Sequence, residues 1–360
     1  MRTFIILGIF MVNIHLLPAQ KLVPVDFSFR SIVADSTDSL NSSNKMLSNV
    51  VTEVILQKDQ LVWLGTGLGV SVIRDSLTVE TFPSIDPDKL TVGNKSTLLP
   101  EGGISAMAVS GQGSYMLIAV AGSENGIPVG KGVAFTTNAT DSVINWTYYD
   151  QPIDDEISDN IPFAGGWMDV LPITVSQANV TYDIAFSDEF AWIASWAGGL
   201  RRYKPSDTSW ERVPLPLDDK FELTTCVDPT IYPDSSWQWV QTKWVLRDYY
   251  LNPRDPIDGG NHNHKAFSVL TYGDTIWVGT ANGINRGIID LIAGANCINW
   301  EHYSYPTHGL SGNFVVGLEM QMLNNKRIIW AATVNADDPT EQRGVSYTTN
   351  DGLSWNTALL

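Results

Sequence analysis

What most restricts the fold of this chain is a three-part phrase that occurs five times. It consists of an apolar strand, an aromatic-led strand ending in small residues, and a Gly-led strand. The first copy reads Asn49-Val50-Val51-Thr52-Glu53-Val54-Ile55-Leu56, then Leu61-Val62-Trp63-Leu64-Gly65-Thr66, then Gly69-Val70-Ser71-Val72-Ile73. The second is looser, with first strand 103–109, second strand Tyr115-Met116-Leu117-Ile118-Ala119 and third strand Gly132-Val133-Ala134-Phe135. In the third, Ala191-Trp192-Ile193-Ala194-Ser195 precedes Gly199; in the fourth, Ile276-Trp277-Val278-Gly279-Thr280 precedes Gly283; in the fifth, Ile329-Trp330-Ala331-Ala332-Thr333 precedes Gly344. Helical periodicity is almost absent, and short apolar or alternating runs bounded by Gly, Asn, Asp and Pro are the all-β pattern.

Each phrase closes on a fourth aromatic-bearing strand: Val79-Glu80-Thr81-Phe82, Ile144-Asn145-Trp146, Thr208-Ser209-Trp210, Ile298-Asn299-Trp300 and Leu353-Ser354-Trp355. Four short antiparallel strands per repeating unit describe a β-propeller blade. A β-helix would repeat at a much shorter period, and a β-sandwich would not reiterate the same Trp-apolar-small-small segment. In the propeller reading Trp63, Trp192, Trp277 and Trp330 pack between adjacent sheets. The small residues after them, Gly65, Thr66, Gly279 and Thr280 among them, let neighbouring inner strands approach around a central channel. Gly69 and Gly283 suit a tight hairpin with positive φ.

First strands start near Val50, Ile104, Val180, Ala266 and Phe314, at intervals of 54, 76, 86 and 48 residues. The excess over the ~40–50 residues of common blades falls in two loops, residues 150–176 and 216–265. The second loop carries Trp237, Trp239 and Trp244 and reads either as an elaborated surface loop or as a degenerate sixth blade with Trp237 opening its second strand. Five blades are recognisable, and six or seven fit the fold class. The ring is expected to close by such a hidden blade, by strands from residues 21–48, or by chain beyond Leu360.

Residues 1–20 pair one cation, Arg2, with an apolar run from Phe4 to Leu17 and then Pro18-Ala19-Gln20, the layout of a secretory signal peptide. The run is shorter than a bilayer span. The expected organisation is a signal at 1–20, an N-terminal extension at 21–48 and one propeller domain at 49–360, located outside the cytoplasm in the periplasm, at the cell surface or secreted. In an oxidising compartment Cys226 and Cys297 could pair; the reading preferred from sequence is that each is a small buried residue in a different structural unit. With 22 Lys+Arg against 39 Asp+Glu, a net charge of −17, and no basic run, nucleic-acid binding is excluded as a function class. A disordered acidic chain is excluded by 44% hydrophobic and 10% aromatic residues.

The segment Leu61-Val62-Trp63-Leu64-Gly65-Thr66-Gly67-Leu68-Gly69-Val70, echoed by residues 276–284, resembles the repeats of two-component-regulator-type propellers, whose blades form periplasmic sensor modules or occur in secreted proteins. A second resemblance, to the Asp-box (BNR repeat) of sialidase-like propellers, rests on Thr348-Thr349-Asn350-Asp351-Gly352-Leu353-Ser354-Trp355. Asn350 departs from the family's Asp at that position. Residues 132–138 are a broken partner of 344–350. The resemblance implies structural turns there, ordered by side-chain to backbone hydrogen bonds, and not chemistry.

Candidate chemistry is sparse. A glycosidase needs two positioned carboxylates, and a sialidase-like site needs clustered arginines; Arg201 and Arg202 are adjacent on a strand, where neighbours face opposite ways, and read as outward and solvated. Asp258, His262 and His264 are the metal-like group, because alternate residues of an extended segment put two imidazoles on one side, with His302 or His308 as a third ligand. The competing reading is a polar loop with unliganded histidines. Asp154, Asp155, Glu156 and Asp159 offer hard oxygen ligands for Ca²⁺ without EF-hand spacing, and read as a solvated loop. No cofactor is expected, Ca²⁺ and a transition metal being the candidates. The sequence therefore points to a monomeric, non-catalytic propeller that binds a protein or glycan through its loop-rich face, with loops 150–176 and 216–265 as the recognition elements, and without membrane insertion. The alternatives are a carbohydrate-active propeller enzyme and a sensor fragment of a larger regulator.

Overall fold

The computed structural model describes residues 46–57, 61–74, 79–85, 90–155, 159–227, 236–290, 297–336 and 338–359. The signal segment 1–20 and most of the 21–48 extension lie outside them. Five sheets carry the repeated phrase as antiparallel four-stranded blades. Blade one runs Val51–Gln57, Leu61–Thr66, Gly69–Ile73 and Val79–Ile85; blade two Gly103–Val109, Met116–Glu124, Ile127–Thr136 and Trp146–Tyr149. Blade three runs Thr181–Phe186, Ala191–Ser195, Gly199–Lys204 and Ser209–Arg212; blade four Ala266–Tyr272, Thr275–Thr280, Gly283–Asp290 and Cys297–Tyr303. Blade five runs Phe314–Leu323, Lys326–Val334, Gly344–Thr348 and Asn356–Leu359. Successive inner strands lie side by side, one against two, two against three, three against four and four against five. This is a β-propeller, as the repeat predicts.

The blade register explains the repeat letter by letter. All five inner strands carry a bulge at the same place, before Glu53, Ala106, Asp183, Ser268 and Gly317. A bulge bends the strand, and here it recurs in every inner strand near its start. Trp63, Leu117, Trp192, Trp277 and Trp330 occupy one register position, opposite Ile55, Ala108, Ala185, Leu270 and Glu319. Where the next blade is present, this side chain enters the layer between sheets: Trp63, Trp192 and Trp277 are fully buried. Trp63 meets Trp146 of blade two edge-on, with ring centroids 6.1 Å apart at 82°. Trp277 meets Trp355 beside blade five at 6.0 Å and 85°. Phe82 and Tyr303 complete the two matching aromatic trios.

The small residues that follow serve approach and turn. A Cβ at Gly65 would stand 2.9 Å from Ile104 of blade two, and one at Gly279 would stand 2.6 Å from Val315 of blade five. Thr66 and Thr280 donate through Oγ1 to the carbonyls of Gly69 (2.7 Å) and Gly283 (3.1 Å), closing the hairpin. Gly69 and Gly283 hold φ of +124° and +102°, and a Cβ there would strike the carbonyl of Phe82 or Tyr303.

Both long loops are structured. Asn160–Phe163, Gly166–Val170, Lys243–Leu251 and Trp237–Val240 join in a sixth sheet, with a parallel pairing at its centre. Trp237 lies on an edge strand of this sheet, not in the second strand of a blade. The sheet buries Phe163, Met168, Trp237 and Leu246 in one core with Trp192 of blade three and Trp300 of blade four. It is thus an accessory sheet packed against these two blades.

Residues 222–224 from the second loop form a fifth, outermost strand on blade four, paired with Cys297–Tyr303. This pairing brings Cys226 and Cys297 together in a disulfide with Cα atoms 4.9 Å apart. The expectation of two separate buried cysteines is corrected: a three-residue strand, invisible as a pattern, returns the loop to the blade edge.

Two blade faces have no sheet against them among the described residues. Val54 is 60% exposed, whereas its counterparts Met107, Ile184 and Val269 are buried between blades; Leu56 is 75% exposed. At the other end Trp330 is only half-buried, its ring tilted at 40° against Tyr347. Replacing Trp277 by Ala should therefore cost about 3–5 kcal/mol, and the same change at Trp330 less than half of that, read by urea unfolding; equal losses would contradict the unpartnered face. Replacing both cysteines by Ala should lower stability by roughly 2–5 kcal/mol, and untreated denatured protein should show no free thiol.

Candidate functional site

Two regions of the ring carry concentrated polar chemistry. The first is the channel lining at the bulges. Glu53 accepts the main-chain N–H of Met107 in the next blade at 2.7 Å, and Asp183 accepts that of Val269 in the next blade at 2.8 Å. Ser268, at the same position, donates to the Val315 carbonyl of its next blade. Ala106 offers no acceptor to blade three, and there Asp183 caps the N–H of its own neighbour Ile184 at 2.8 Å. The bulge leaves an amide unpaired, and a carboxylate at the bulge satisfies it, from the preceding blade for Met107 and Val269 and from its own strand for Ile184.

Burial pushes the Glu53 carboxyl up to about 7, with the charge of Asp183 adding to the effect. Burial likewise raises Asp183 to about 7 against the pull of its two amide donors, and Glu319 adds to the rise. Carboxylates from blades one, three and five are therefore close enough in the channel to feel one another. Alignment of the first strands on their own apolar runs, Val54-Ile55-Leu56 against Ile184-Ala185-Phe186, would have put Glu53 and Asp183 at one repeat position; anchored on the second-strand aromatic they fall one residue apart, because the hairpins differ in length.

The second region is a cleft of about 850 Å³ on the ring face where first-to-second and third-to-fourth hairpins turn. Ser110 and Tyr115 of blade two line it, with Ser187, Asp188, Glu189 and Lys204 of blade three and Thr271 of blade four. Asp188 and Glu189 are exposed, and the Tyr115 ring is 41% exposed while its edge packs on Phe135. The cleft lies at the far ends of the inner strands from the bulge carboxylates.

The residues singled out from sequence are placed otherwise. His262 and His264 lie on one turn of 3-10 helix, His262–His264, not on an extended segment. His264 is buried: Nδ1 meets the Asn252 N–H at 3.0 Å and Nε2 lies 3.2 Å from the Leu215 carbonyl. Burial lowers its pKa to about 4. His262 stands 3.6 Å from Asp255, and Asp258 is exposed. The three do not converge; among the described residues the close set of metal-type atoms is Cys226, Asp290 and Cys297, two of which form the disulfide. His302 is buried against Asn285 and His308 caps Ser304.

Arg201 and Arg202, read as solvated, are both buried, because each side of a blade faces another sheet. Arg202 pairs with Glu211 at 2.7 Å and lies over Phe163 and Phe190. Arg201 pairs with Asp154, which is itself buried and not part of a solvated loop. Asp155 and Asp159 are exposed; Glu156 lies outside the described residues.

The turn at 348–355 is held by side chains. Thr348 Oγ1 accepts from the Asn350 and Gly352 N–H groups, and Asn350 Oδ1 accepts from the Ser354 N–H at 3.1 Å. Asn350 Nδ2 also donates to Ser354 Oγ, so an amide meets the needs of this turn. Gly352, at φ +91°, lies under the Tyr303 ring, and Trp355 is buried beyond it.

No family model matches the chain, and no curated protein matches it. Solved structures do. The β-propeller domain of Myceliophteria thermophila Cps50 (Swd1) matches at 13% identity and TM-score 0.41, over 88% of this chain and 73% of that one. A Niastella koreensis GH74 enzyme matches at 14% and 0.43, and an ancestral GH74 enzyme at 12% and 0.40. Each covers 88% of this chain, which spans 38% and 41% of the respective enzymes. These likenesses concern the fold alone.

Because the folded pKa values of Glu53 and Asp183 lie above ordinary carboxylate values, the folded state holds protons that the unfolded chain releases. Their contribution to stability is full below about pH 4 and is lost as pH rises through about 7. Unfolding midpoints in denaturant should fall across that window, and Glu53→Gln with Asp183→Asn should flatten the fall.

Proposed function

We propose that this protein is an extracytoplasmic, non-catalytic binding module that takes a glycan in the cleft between blades two, three and four. The observation that carries the reading is the makeup of that cleft. A partly exposed Tyr115 ring supplies an apolar face, and the Ser110 hydroxyl with the exposed carboxylates of Asp188 and Glu189 supplies hydrogen-bonding groups around it. The Ser187 and Thr271 hydroxyls brace the hairpins by donating to the Phe190 and Phe186 carbonyls. Concave sites of several hundred Å³ with a few convergent polar groups are the usual form of small-ligand sites. A sugar offers both an apolar ring face and a rim of hydroxyls.

The loops that form the cleft are short hairpins on blades two to four, each packed between neighbouring blades, which favours a preformed site. Loops 150–176 and 216–265, expected from sequence to be the recognition elements, contribute to the accessory sheet instead. The disulfide and the signal-like residues 1–20 support a location in an oxidising compartment. The resemblance to two-component-regulator propellers and to Asp-box turns fits a secreted or periplasmic module of this kind.

A second reading, a carbohydrate-active enzyme, draws on Glu53 and Asp183. A carboxyl group held near pH 7 suits general acid work. Against it, both carboxylates are engaged by main-chain amides of the next blade, and they lie away from the cleft.

Presented with a glycan and peptide array, the protein should retain a glycan class, and Tyr115→Ala should weaken that binding at least tenfold, about 1.4 kcal/mol. Retention of peptides only, or glycan binding unaffected by the substitution, would overturn the proposal. Turnover of an array glycoside that is lost in Glu53→Gln would establish the enzymatic reading in its place.

A further inference from the structure

Arg201 and Arg212 face each other directly across the third and fourth strands of blade three. Like charges so placed repel, and more strongly as water is removed. Here the two side chains are 4% and 0% exposed. One carboxylate bridges them: Asp154 Oδ1 accepts from Arg201 Nη2 at 2.8 Å, and Oδ2 from Arg212 Nη1 at 2.7 Å. The Ile173 N–H also donates to Asp154 at 2.8 Å, and Arg212 Nη1 donates to the Leu171 carbonyl at 2.9 Å.

Charge and hydrogen bonding are both left incomplete. Among the described residues, two guanidinium groups against one carboxylate leave one buried positive charge. The other ionisable groups facing Arg212 do not cancel it. Burial raises the pKa of Tyr249, keeping its phenol neutral, and the hydroxyl donates to the Leu215 carbonyl at 2.9 Å; His264 carries no negative charge in either protonation state. Among the described residues Arg212 Nε and Nη2, and Arg201 Nε, meet no acceptor. Nε and Nη2 form one edge of a guanidinium, two parallel N–H groups that grip an anion as a fork. A fully buried cation with that edge vacant is strongly disfavoured.

We propose that the Nε/Nη2 edge of Arg212 is a binding site for a small monovalent inorganic anion, which completes the charge balance of the Arg201–Asp154–Arg212 cluster. The anion would tie three pieces of chain together: blade three through the arginines, the 150–155 segment through Asp154, and the stretch that leaves the accessory strand Gly166–Val170 through Leu171 and Ile173.

The test is thermal unfolding of the full chain in sodium chloride against sodium gluconate at equal ionic strength. Chloride should raise Tm saturably, by roughly 4 °C at a hundredfold excess over Kd, and bromide should act alike. Crystals grown in bromide should show an anomalous peak within hydrogen-bonding distance of Arg212 Nε. Arg212→Gln should remove the chloride dependence; should that variant not fold, the wild-type bromide peak decides. Identical curves in chloride and gluconate with a water at the fork, or a halide effect that survives Arg212→Gln, would overturn the proposal.

Discussion

The contact on which this architecture depends is the edge-on meeting of aromatic rings between neighbouring blades. The second-strand Trp of one blade projects forward and the Trp at the fourth strand of the next projects back, so Trp63 finds Trp146 and Trp277 finds Trp355. Such pairs add to the large area each ring buries. They also set the spacing of the sheets, and that spacing is what makes Gly65 and Gly279 necessary, since a side chain there would collide with the next inner strand. Between blades three and four the accessory sheet enters, and Trp192 packs beside Phe190 and Arg202 instead. Local departures from the repeat thus have local causes.

The polar groups of the interior follow the same logic of neighbouring sheets. A bulge in each inner strand frees an amide, and Glu53 and Asp183 reach from one blade to the next to accept it. Retaining carboxyl groups in that position raises their pKa but satisfies backbone groups that water cannot reach. At the far end of the same strands the hairpins diverge, leaving the cleft at their tips. An array of packed blades with a polar-lined hollow on one face is well suited to holding a ligand in place.

Much of the blade structure was legible because its signals are local. A Trp two residues before Gly or Ala, a small hydroxyl residue after it and a Gly that opens the next strand all act within one hairpin, so Trp63, Thr66 and Gly69 declare themselves in sequence. The arginines were misread for a reason specific to propellers. Alternation tells which side of a strand a residue faces, but in a blade both sides meet another sheet, and neither Arg201 nor Arg202 reaches water. An extended segment would put His262 and His264 on one side, whereas the 3-10 turn on which both lie points them in different directions. The disulfide depended on a three-residue strand, and the accessory sheet on a parallel pairing between segments about 80 residues apart, neither of which leaves a periodic trace. The candidate cleft lies outside any motif, because it is assembled from the hairpins of three different blades.

The uncovered faces of blades one and five bear on how the fold is held as a whole. An array in which each unit touches only the next behaves like a chain of coupled links, and its cohesion resides in the joints. Blades two, three and four each share two joints, whereas the terminal pair, within the described chain, share one apiece. Cooperativity should therefore be graded along the array, with the strongest link where the accessory sheet bridges blades three and four. The cleft, built from blades two to four, occupies the stretch where every participating unit is braced on both sides.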